Sequence, residues 1–376
     1  MQNLITFANL SETHKNNYMK RLILAGLVLA SVATASADFR FSASPALAGK
    51  PVKVEAVSIN DLLTKSRKDI TPVMFEAVMS PDFLLATPGT EPQRYTLTVG
   101  DMRPVRFFAR PTDNINISIS AEGETMITGT PMLDQVAVLQ QQLTEPMKAY
   151  RKAAESNDEA AAEVAEKAYN KILVDYVKAY PDQRGATWAV MQMDTEELLQ
   201  YAPTLTGDAT TCLLYPLLQK NIESAKARVE AEKHQQELED SHAKAPDFSL
   251  PDLNGKMVKL SSFKGKWVVI DFWGSWCIWC IKGFPGLKDT YAKYKGKLEV
   301  IGIDCNDPEA NWRAAVKKYE LPWVNLYNAD TKGGVMSAYG VQAFPTKVLV
   351  NPKGKIQKIY VGEDPAFYTD LENLIK

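Results

Sequence analysis

Two cysteines separated by two residues, Cys277 and Cys280, directly follow an apolar segment at 267–272 that has the pattern of a buried β-strand. If a helix begins at Cys277, the free N–H groups and the dipole of its first turn favour the thiolate of this cysteine. Cys280 then lies one turn further along, where it is less exposed and can attack a mixed disulfide formed on Cys277. The spacing therefore predicts thiol–disulfide exchange.

The same cysteine spacing also occurs in zinc sites and in covalent haem attachment. A structural zinc site usually needs four cysteine or histidine ligands, but Cys212 and Cys305 are distant from the motif. The histidines all precede it: His14, His234 and His242. Haem attachment requires a histidine directly after the second cysteine, where this chain has Ile281. The sequence thus predicts neither a metal nor a cofactor.

The N-terminus has the pattern of a secretory signal peptide. Lys20 and Arg21 precede an apolar run at 22–32, and Ala35-Ser36-Ala37 provides a cleavage site of small residues. We therefore assign 1–37 to upstream residues and a signal peptide, with Met19 as a possible start of translation. N-terminal sequencing of the mature protein should begin at Asp38. The prediction is a periplasmic or cell-envelope protein without a stable membrane anchor after cleavage, where disulfide chemistry is favoured.

The rest of the chain changes its periodicity twice. Composition is that of an ordinary globular protein, with 23% charged residues and a net charge of −2, and it gives no indication of nucleic-acid binding. Alternating apolar residues and frequent Pro and Gly at 38–130 predict a small antiparallel sandwich or barrel. Residues 131–243 have a helical pattern, with Val136, Gln140, Leu143 and Met147 on one face. Its last part, 221–244, is rich in Glu, Lys, Gln and Ala and predicts an exposed connecting helix.

Strands and helices alternate in the last part of the chain, at 244–376. We expect strands at 267–272, 298–303, 347–350 and 355–360, and helices from Cys277 onward and at 311–319. Alternation followed by two closing strands predicts an α/β domain with a central mixed sheet flanked by helices.

Several short motifs in this last part occur in a characteristic order. They are Ala245-Pro246-Asp247-Phe248, Gly255-Lys256, Val269-Ile270-Asp271-Phe272-Trp273, Trp276-Cys277-Ile278-Trp279-Cys280, Phe284-Pro285 and Phe344-Pro345-Thr346. In these motifs the chain resembles the TlpA/ResA branch of the thioredoxin superfamily over roughly residues 244–376. Residues 38–130 more loosely resemble a β-rich domain of unknown function that precedes such thioredoxin domains in exported bacterial proteins.

The resemblance implies roles for individual residues. Cys277 matches the attacking cysteine of the family and Cys280 the resolving one. Pro345 matches a proline that follows a cis peptide bond and lies against the active-site disulfide. Asp271 matches a buried carboxylate beneath the dithiol; burial should raise its pKa and make it the proton acceptor for Cys280. A carboxylate that only caps the next turn is the alternative for Asp271.

Four further residues are candidates for substrate contact. The cis-proline loop would present the backbone of Phe344, followed by Thr346, to an extended peptide. Trp276 and Trp279 are candidate docking surface, whereas Trp273 is expected in the core.

The expected partners are protein disulfides or dithiols and an upstream membrane electron donor. No histidine lies between the cysteines to stabilise a thiolate, which favours a reducing site.

Two other functions remain open from the sequence. A peroxiredoxin-like thiol peroxidase shares the Ala-Pro-Asp-Phe opening at 245–248, but its reactive cysteine follows a Pro-x-x-x-Thr-x-x pattern, and here Gly274, Ser275 and Trp276 precede Cys277. Alternatively, residues 38–243 are a ligand- or partner-binding module and the thioredoxin domain is an accessory. The leading prediction is an exported thiol–disulfide oxidoreductase that reduces protein disulfides.

Overall fold

The computed structural model describes residues 36–66, 69–80, 84–88, 91–330 and 334–375. These residues form two compact units that divide between Glu223 and Ser224. The signal-peptide pattern at 20–35 lies outside the described residues. The division of the chain into 38–130, 131–243 and 244–376 stays a prediction.

Strands come first in the first unit and helices follow. The strands are β1 (Ser36–Ala43), β2 (Pro51–Ser58), β3 (Val73–Val78), β4 (Leu84–Pro88), β5 (Gln93–Val99), β6 (Val105–Ala109), β7 (Asn114–Ile119) and β8 (Thr125–Thr128). The helices are α1 (Ile59–Thr64), α2 (Pro131–Glu155), α3 (Glu159–Ala179), α4 (Arg184–Val190) and α5 (Thr195–Tyr201). Helix α6 (Tyr215–Asp240) begins in the first unit and ends in the second.

The strands of the first unit form two sheets that share one core. Their strand orders are β4–β1–β7–β8 and β3–β2–β5–β6. The ring of Phe39, from the first sheet, packs edge-on against Tyr95 and Phe107 of the second, with ring centroids 4.7 and 5.2 Å away. The unit is therefore β-rich as predicted, but it is not purely antiparallel, because β1 pairs with β7 in parallel. Strand periodicity cannot predict this, since it is the same for both directions.

Helix α2 buries a different face from the one that the sequence predicted. Val136 and Leu143 are buried as expected, but Gln140 and Met147 are exposed, and Leu139 is completely buried. The predicted face rested on the helical spacing of these four residues alone. The observed face is centred on Leu133, Val136, Leu139 and Leu143, whose apolar side chains gain free energy by leaving water.

The second unit contains a five-stranded mixed sheet in the order β13–β12–β11–β14–β15. Its elements are β9 (Ser249–Pro251), β10 (Met257–Lys259), β11 (Trp267–Trp273), α7 (Ile278–Lys293), β12 (Leu298–Asp304), α8 (Glu309–Lys318), β13 (Val324–Tyr327), α9 (Gly334–Ala338), β14 (Thr346–Val350), β15 (Ile356–Val361) and α10 (Ala366–Leu374). Strands β11, β12 and β13 are parallel, and β14 and β15 follow as antiparallel partners. The predicted α/β class is confirmed, although the strands β9, β10 and β13 and the helices α9 and α10 were not predicted.

Helices cover both faces of this sheet. Alternate residues of β11 point to opposite faces: Val269 and Trp273 belong to the core beneath α7, and Ile270 belongs to the core on the other face. Among the residues that the structure describes, no helix combines the length and apolar character needed to cross a membrane.

The end of α6 is mostly exposed, as predicted, but a few of its side chains pack within the second unit, which the sequence did not predict. Gln235 is buried, and its Nε2 donates hydrogen bonds to the carbonyl oxygens of Gly340 at 2.9 Å and Tyr339 at 3.4 Å. Glu239 Oε1 accepts a hydrogen bond from the Ile359 amide. The polar composition of this segment hides its packing, because the contacts are made by a polar side chain that satisfies backbone groups.

We predict that Gln235→Ala destabilises the second unit by about 1–3 kcal/mol, because it leaves buried carbonyl groups without their donor. Gln236, its exposed neighbour, supplies the matched control, and Gln236→Ala should change the free energy of unfolding by less than about 0.5 kcal/mol. Urea unfolding followed by tryptophan fluorescence measures this unit, because six of the seven tryptophans follow residue 224. Equal effects of the two variants would contradict a packing role for Gln235.

Candidate active site

The two cysteines lie at the junction between the central strand β11 and the helix α7 that follows it. Strand β11 ends at Trp273, and Cys277 is the N-cap residue of α7. Cys277 and Cys280 are joined by a disulfide, with their Cα atoms 5.3 Å apart. The amide of Cys280 donates a hydrogen bond to Cys277 Sγ at 3.1 Å. The sulfur of Cys277 therefore occupies the position of a capping oxygen, where free N–H groups favour negative charge.

Both cysteines are buried in the disulfide form. Cys277 is 5% exposed and Cys280 2%. The difference has the predicted direction but is small. Access of another thiol to Cys277 therefore depends on the loops around the disulfide.

The loop before Cys277 is held by the turn that follows β12. The carboxylate of Asp307 accepts hydrogen bonds from the Ser275 amide at 2.6 Å and from its hydroxyl at 2.7 Å. Trp276 Nε1 donates to the carbonyl oxygen of Cys305 at 3.1 Å. Gly274 leaves room for this tryptophan, since a Cβ at 274 would lie 2.5 Å from Trp276 Nε1. These contacts fix the approach of the chain to the first cysteine.

The loop before β14 packs beside the disulfide. The Phe344–Pro345 peptide bond is cis, as the sequence predicted. Phe344 is half-buried against the core that contains both cysteines, and its ring meets the ring of Trp276 edge-on at 5.2 Å. Thr346 differs from its expected role in substrate contact: it is completely buried, and its hydroxyl donates to the carbonyl oxygen of Ala343 at 2.8 Å.

An exposed apolar surface surrounds the start of α7. Trp276 is 52%, Ile278 62% and Trp279 58% exposed, whereas Trp273 is completely buried, as predicted. The ammonium group of Lys282 lies 4.3 Å from the centre of the Trp279 ring. Large apolar side chains gathered at one place on a surface are typical of protein-binding sites.

Asp271 is buried in the sheet on the face beneath α7. The residue is 2% exposed, and Asp271 Oδ1 accepts no hydrogen bond from any residue that the structure describes. Burial disfavours the anion and raises the pKa of Asp271 from 3.8 to about 6; Lys347 opposes this shift, and Glu363 adds to it. Asp271 Oδ1 therefore does not cap the next turn, which was the alternative role for this residue, and it is not hydrogen-bonded to Lys347.

Two charged residues near Asp271 were not identified from the sequence. Lys347 is almost completely buried, with its Nζ 4.0 Å from Asp271 Oδ1 and 2.8 Å from Glu363 Oε2. A lysine within an otherwise apolar strand was the signal that could have indicated Lys347. Glu363 follows β15 with no such signal, because only the tertiary structure brings it to the lysine.

A second buried carboxyl lies at the end of β12. Burial and the neighbouring Asp307 raise the pKa of Asp304 to about 9, so this carboxyl is protonated at neutral pH. Asp307 alone holds the loop at Ser275. Neither Asp304 nor Asp307 was identified by the sequence reasoning.

The remaining cysteines are buried free thiols. Cys305 donates a weak hydrogen bond to the Ile303 carbonyl oxygen, and Cys212 to that of Ala209. Burial and nearby carboxylates raise the pKa of the Cys305 thiol, which makes it unreactive. Within the described residues, no group of three or more His, Cys, Asp or Glu side chains could hold a metal ion.

A groove lies elsewhere in the second unit. It has a volume of about 640 Å³ and runs between the β9–β10 hairpin and β13. Its lining includes Asp252, Lys256, Phe263 and Trp323 but neither cysteine of the disulfide. We therefore base the functional assignment on the cysteines and their surroundings.

A mixed sheet, a Cys-x-x-Cys disulfide at the start of the helix after the central strand and an adjacent cis-proline together define a thioredoxin-type thiol–disulfide oxidoreductase. Comparisons with known proteins agree with this class. The AhpC/TSA family profile matches residues 242–359. The thiol-disulfide oxidoreductase ResA of Bacillus subtilis is 35% identical over 134 residues, which cover 35% of this chain and 74% of the relative. ResA of Bacillus cereus is 37% identical over 120 residues, which cover 32% of this chain and 68% of the relative.

The chain therefore belongs to the family of ResA thiol-disulfide oxidoreductases and is a protein-disulfide oxidoreductase. Solved structures with similar sequences include the thioredoxin domain of a thiol-disulfide oxidoreductase from Bacteroides vulgatus, at 31% identity. It matches 36% of this chain and 97% of that domain, with a TM-score of 0.34. A thiol-disulfide oxidoreductase from Bacteroides fragilis is 27% identical. The match covers 35% of this chain and 99% of that structure, with a TM-score of 0.33.

Asp271→Asn should stabilise the protein at neutral pH. The folded-state pKa of about 6 lies above the ordinary value of 3.8, so ionisation of Asp271 costs folding free energy as the pH rises between these values. A shift of about two units corresponds to about 3 kcal/mol. The increase in the free energy of unfolding of Asp271→Asn should be complete above about pH 7 and should vanish below about pH 4.

Urea unfolding at a series of pH values measures this gain. Asp289→Asn, at an exposed position of α7, is the matched control and should change stability little at any pH. A gain for Asp271→Asn that does not depend on pH would show that Asp271 does not ionise in this range.

Proposed function

We propose that this protein is an exported reductase of protein disulfides that works through the Cys277/Cys280 dithiol. The observation that carries the proposal is the hydrogen bond from the Cys280 amide to Cys277 Sγ at the N-terminus of α7. In the reduced protein the same position favours a Cys277 thiolate, which is the nucleophile that thiol–disulfide exchange requires.

In the first step, the Cys277 thiolate attacks one sulfur of a substrate disulfide. A mixed disulfide forms between Cys277 and the substrate, and the other substrate sulfur leaves as a thiolate that takes a proton from water. In the second step, Cys280 passes its proton to Asp271 and attacks Cys277 Sγ. The Cys277–Cys280 disulfide forms, and the second substrate sulfur leaves as a thiolate. The substrate gains two electrons and the dithiol loses two.

Asp271 suits the second step because it is a base in the neutral range. A general base works best with a pKa close to the working pH, and burial raises the pKa of Asp271 to about 6. Its Oδ1 has no hydrogen bond from the described residues and is therefore available to a proton.

The exposed tryptophans support a protein rather than a small disulfide as the substrate. Trp276 and Trp279 flank the buried cysteines, and Phe344 adds a further aromatic ring beside Trp276. An extended peptide that lies along the cis-proline loop would pair with the backbone at Phe344 and pack against these rings.

Export and a membrane electron donor complete the proposal. A dithiol that reduces disulfides must itself be reduced again, and outside the cytosol a membrane protein with a reactive dithiol is the class of donor that can supply these two electrons. The signal-peptide pattern at 20–37 supports export to the periplasm or cell envelope.

Cys280→Ser should trap the substrate. Cys277 can still form the mixed disulfide, but a hydroxyl cannot resolve it, so the adduct should accumulate and be identified by mass spectrometry after incubation with insulin. Cys277→Ser is the matched control and should trap nothing. Both variants should lose insulin reduction.

Normal turnover of Cys280→Ser without an adduct would contradict the two-cysteine mechanism. In that case, consumption of hydrogen peroxide by the same variant would identify a one-thiol peroxidase instead. Failure of the wild-type protein to reduce insulin would also overturn the proposal.

Trp279→Ala should weaken the reaction with a protein disulfide only. We expect kcat/KM for insulin to fall about tenfold, which corresponds to about 1.4 kcal/mol of lost contact, while that for a small aromatic disulfide stays the same. Tyr150→Ala removes an exposed aromatic residue from the first unit and serves as the control. Equal losses with both substrates would argue against a docking surface.

A further inference from the structure

Lys347 lies directly opposite Asp271 in the sheet. The antiparallel register of β11 and β14 pairs these two residues. Side chains of opposite residues project from the same face, so the lysine reaches into the core beneath α7, where it is 4% exposed. A buried ammonium group without a partner is strongly unfavourable, so the partner of Lys347 influences every charge nearby.

The partner of Lys347 is Glu363 and not Asp271. Lys347 Nζ lies 2.8 Å from Glu363 Oε2, which is a hydrogen-bonded ion pair. Its distance to Asp271 Oδ1 is 4.0 Å, which is too long for a hydrogen bond. The ring of Phe367, 5.8 Å from Nζ, lies on another side of the ammonium group.

Contacts from other elements hold the Glu363 carboxylate in place. Gly362 has a φ of +83°, and its amide donates to the Pro345 carbonyl oxygen at 2.8 Å, so the chain turns inward beside the cis-proline loop. The hydroxyl of Tyr368 in α10 donates to Glu363 Oε1 at 2.8 Å. The carboxylate is thus bound at both oxygens.

Two glycines of α7 make room for these groups. A Cβ at Gly283 would overlap both carboxylate oxygens of Glu363, and a Cβ at Gly286 would lie 2.9 Å from the Tyr368 hydroxyl. Glycine inside a helix is destabilising relative to alanine. The close approach of Glu363 and Tyr368 accounts for glycine at these two positions.

We propose that Glu363 is a positioning residue for thiol–disulfide exchange: it holds Lys347 away from Asp271, so that the Asp271 carboxylate stays able to take the proton of Cys280. The inference rests on the proposed role of Asp271 in the second step. Lys347 and Glu363 together are neutral, so ionisation of Asp271 places a net negative charge in the core. Without Glu363, Lys347 would turn to Asp271 as its remaining carboxylate partner and hold it as an unreactive anion.

Other groups around Asp271 do not replace this pair. The thiol of Cys305, at the end of β12, and the phenol of Tyr368 interact electrostatically with Asp271, and both have raised pKa values that keep them neutral at physiological pH. The dithiol in α7 supplies the proton itself. Lys347 is the cation, and Glu363 the other carboxylate, that act on the Asp271 carboxylate.

The test is a titration of Asp271 in the oxidised full-length protein, which needs no turnover. The carboxyl carbon of Asp271 is followed by ¹³C NMR in protein labelled at aspartate, and its signal is assigned by its loss in Asp271→Asn. Glu363→Gln should lower the pKa of Asp271 by about one unit or more, and Lys347→Met should raise it by a similar amount. The pH below which the second step slows should move in the same two directions.

Opposite shifts are the result that supports the proposal. A purely structural role would admit water in both variants and lower the pKa of Asp271 in both. That outcome, or no shift in Glu363→Gln, would overturn the inference. Gly283→Ala gives an independent measurement if Lys347→Met does not fold: its methyl group displaces Glu363 without changing any charge, so the pKa of Asp271 should fall, and an unchanged value would contradict the proposal.

Matched controls come from an exposed ion pair of the same unit. Lys293 Nζ lies 2.7 Å from Glu372 Oε1, so Glu372→Gln and Lys293→Met remove the same charges at the surface and should leave the Asp271 titration unchanged. If wild-type protein fails to reduce insulin, the proposed function fails whatever the titration shows. If it reduces insulin but the shifts are absent, only the role of Glu363 fails.

Discussion

The hydrogen bond from the Cys280 amide to Cys277 Sγ makes the first cysteine the cap of α7, and the arrangement of the site depends on it. A helix can begin there only if the preceding chain leaves β11 at the right place and direction. Asp307 fixes Ser275, and the carbonyl of Cys305 fixes the indole of Trp276. The end of the neighbouring strand β12 therefore determines where the reactive sulfur lies, although it contributes no reacting group.

The charges beneath the disulfide show how a buried acid can remain a base. Asp271 alone would be protonated by burial, and Asp271 in a direct pair with a lysine would be a stable anion. The observed arrangement lies between these limits, because Lys347 is bound to Glu363 at 2.8 Å and reaches Asp271 only at 4.0 Å. Gly283 permits this arrangement by leaving the space that Glu363 fills. The active site thus extends over α7, β11, β14 and the turn after β15.

Much of the fold follows from local patterns. The alternation of apolar residues at 115–119 predicts the strand β7, whose Ile115, Ile117 and Ile119 are buried as the pattern requires. The pattern does not contain strand direction, and so the parallel pairing of β1 with β7 could not be predicted. Composition did not indicate the packing at the end of α6, where the polar side chain of Gln235 is buried because it satisfies backbone carbonyl groups.

The sequence by itself determined which reaction class to expect, because the spacing of Cys277 and Cys280 after an apolar strand and the order of the motifs around it are local properties that require no knowledge of the fold. Its resemblance to the thioredoxin superfamily also implied the cis bond before Pro345 and the buried carboxylate of Asp271. Only the tertiary structure decided the partners of that carboxylate, because the register of β11 against β14 joins residues 271 and 347, and a turn after β15 adds Glu363. It also decided that Thr346 faces the core while Trp279 faces solvent. Such long-range pairings depend on which strands meet and at what register, and no local pattern contains that information.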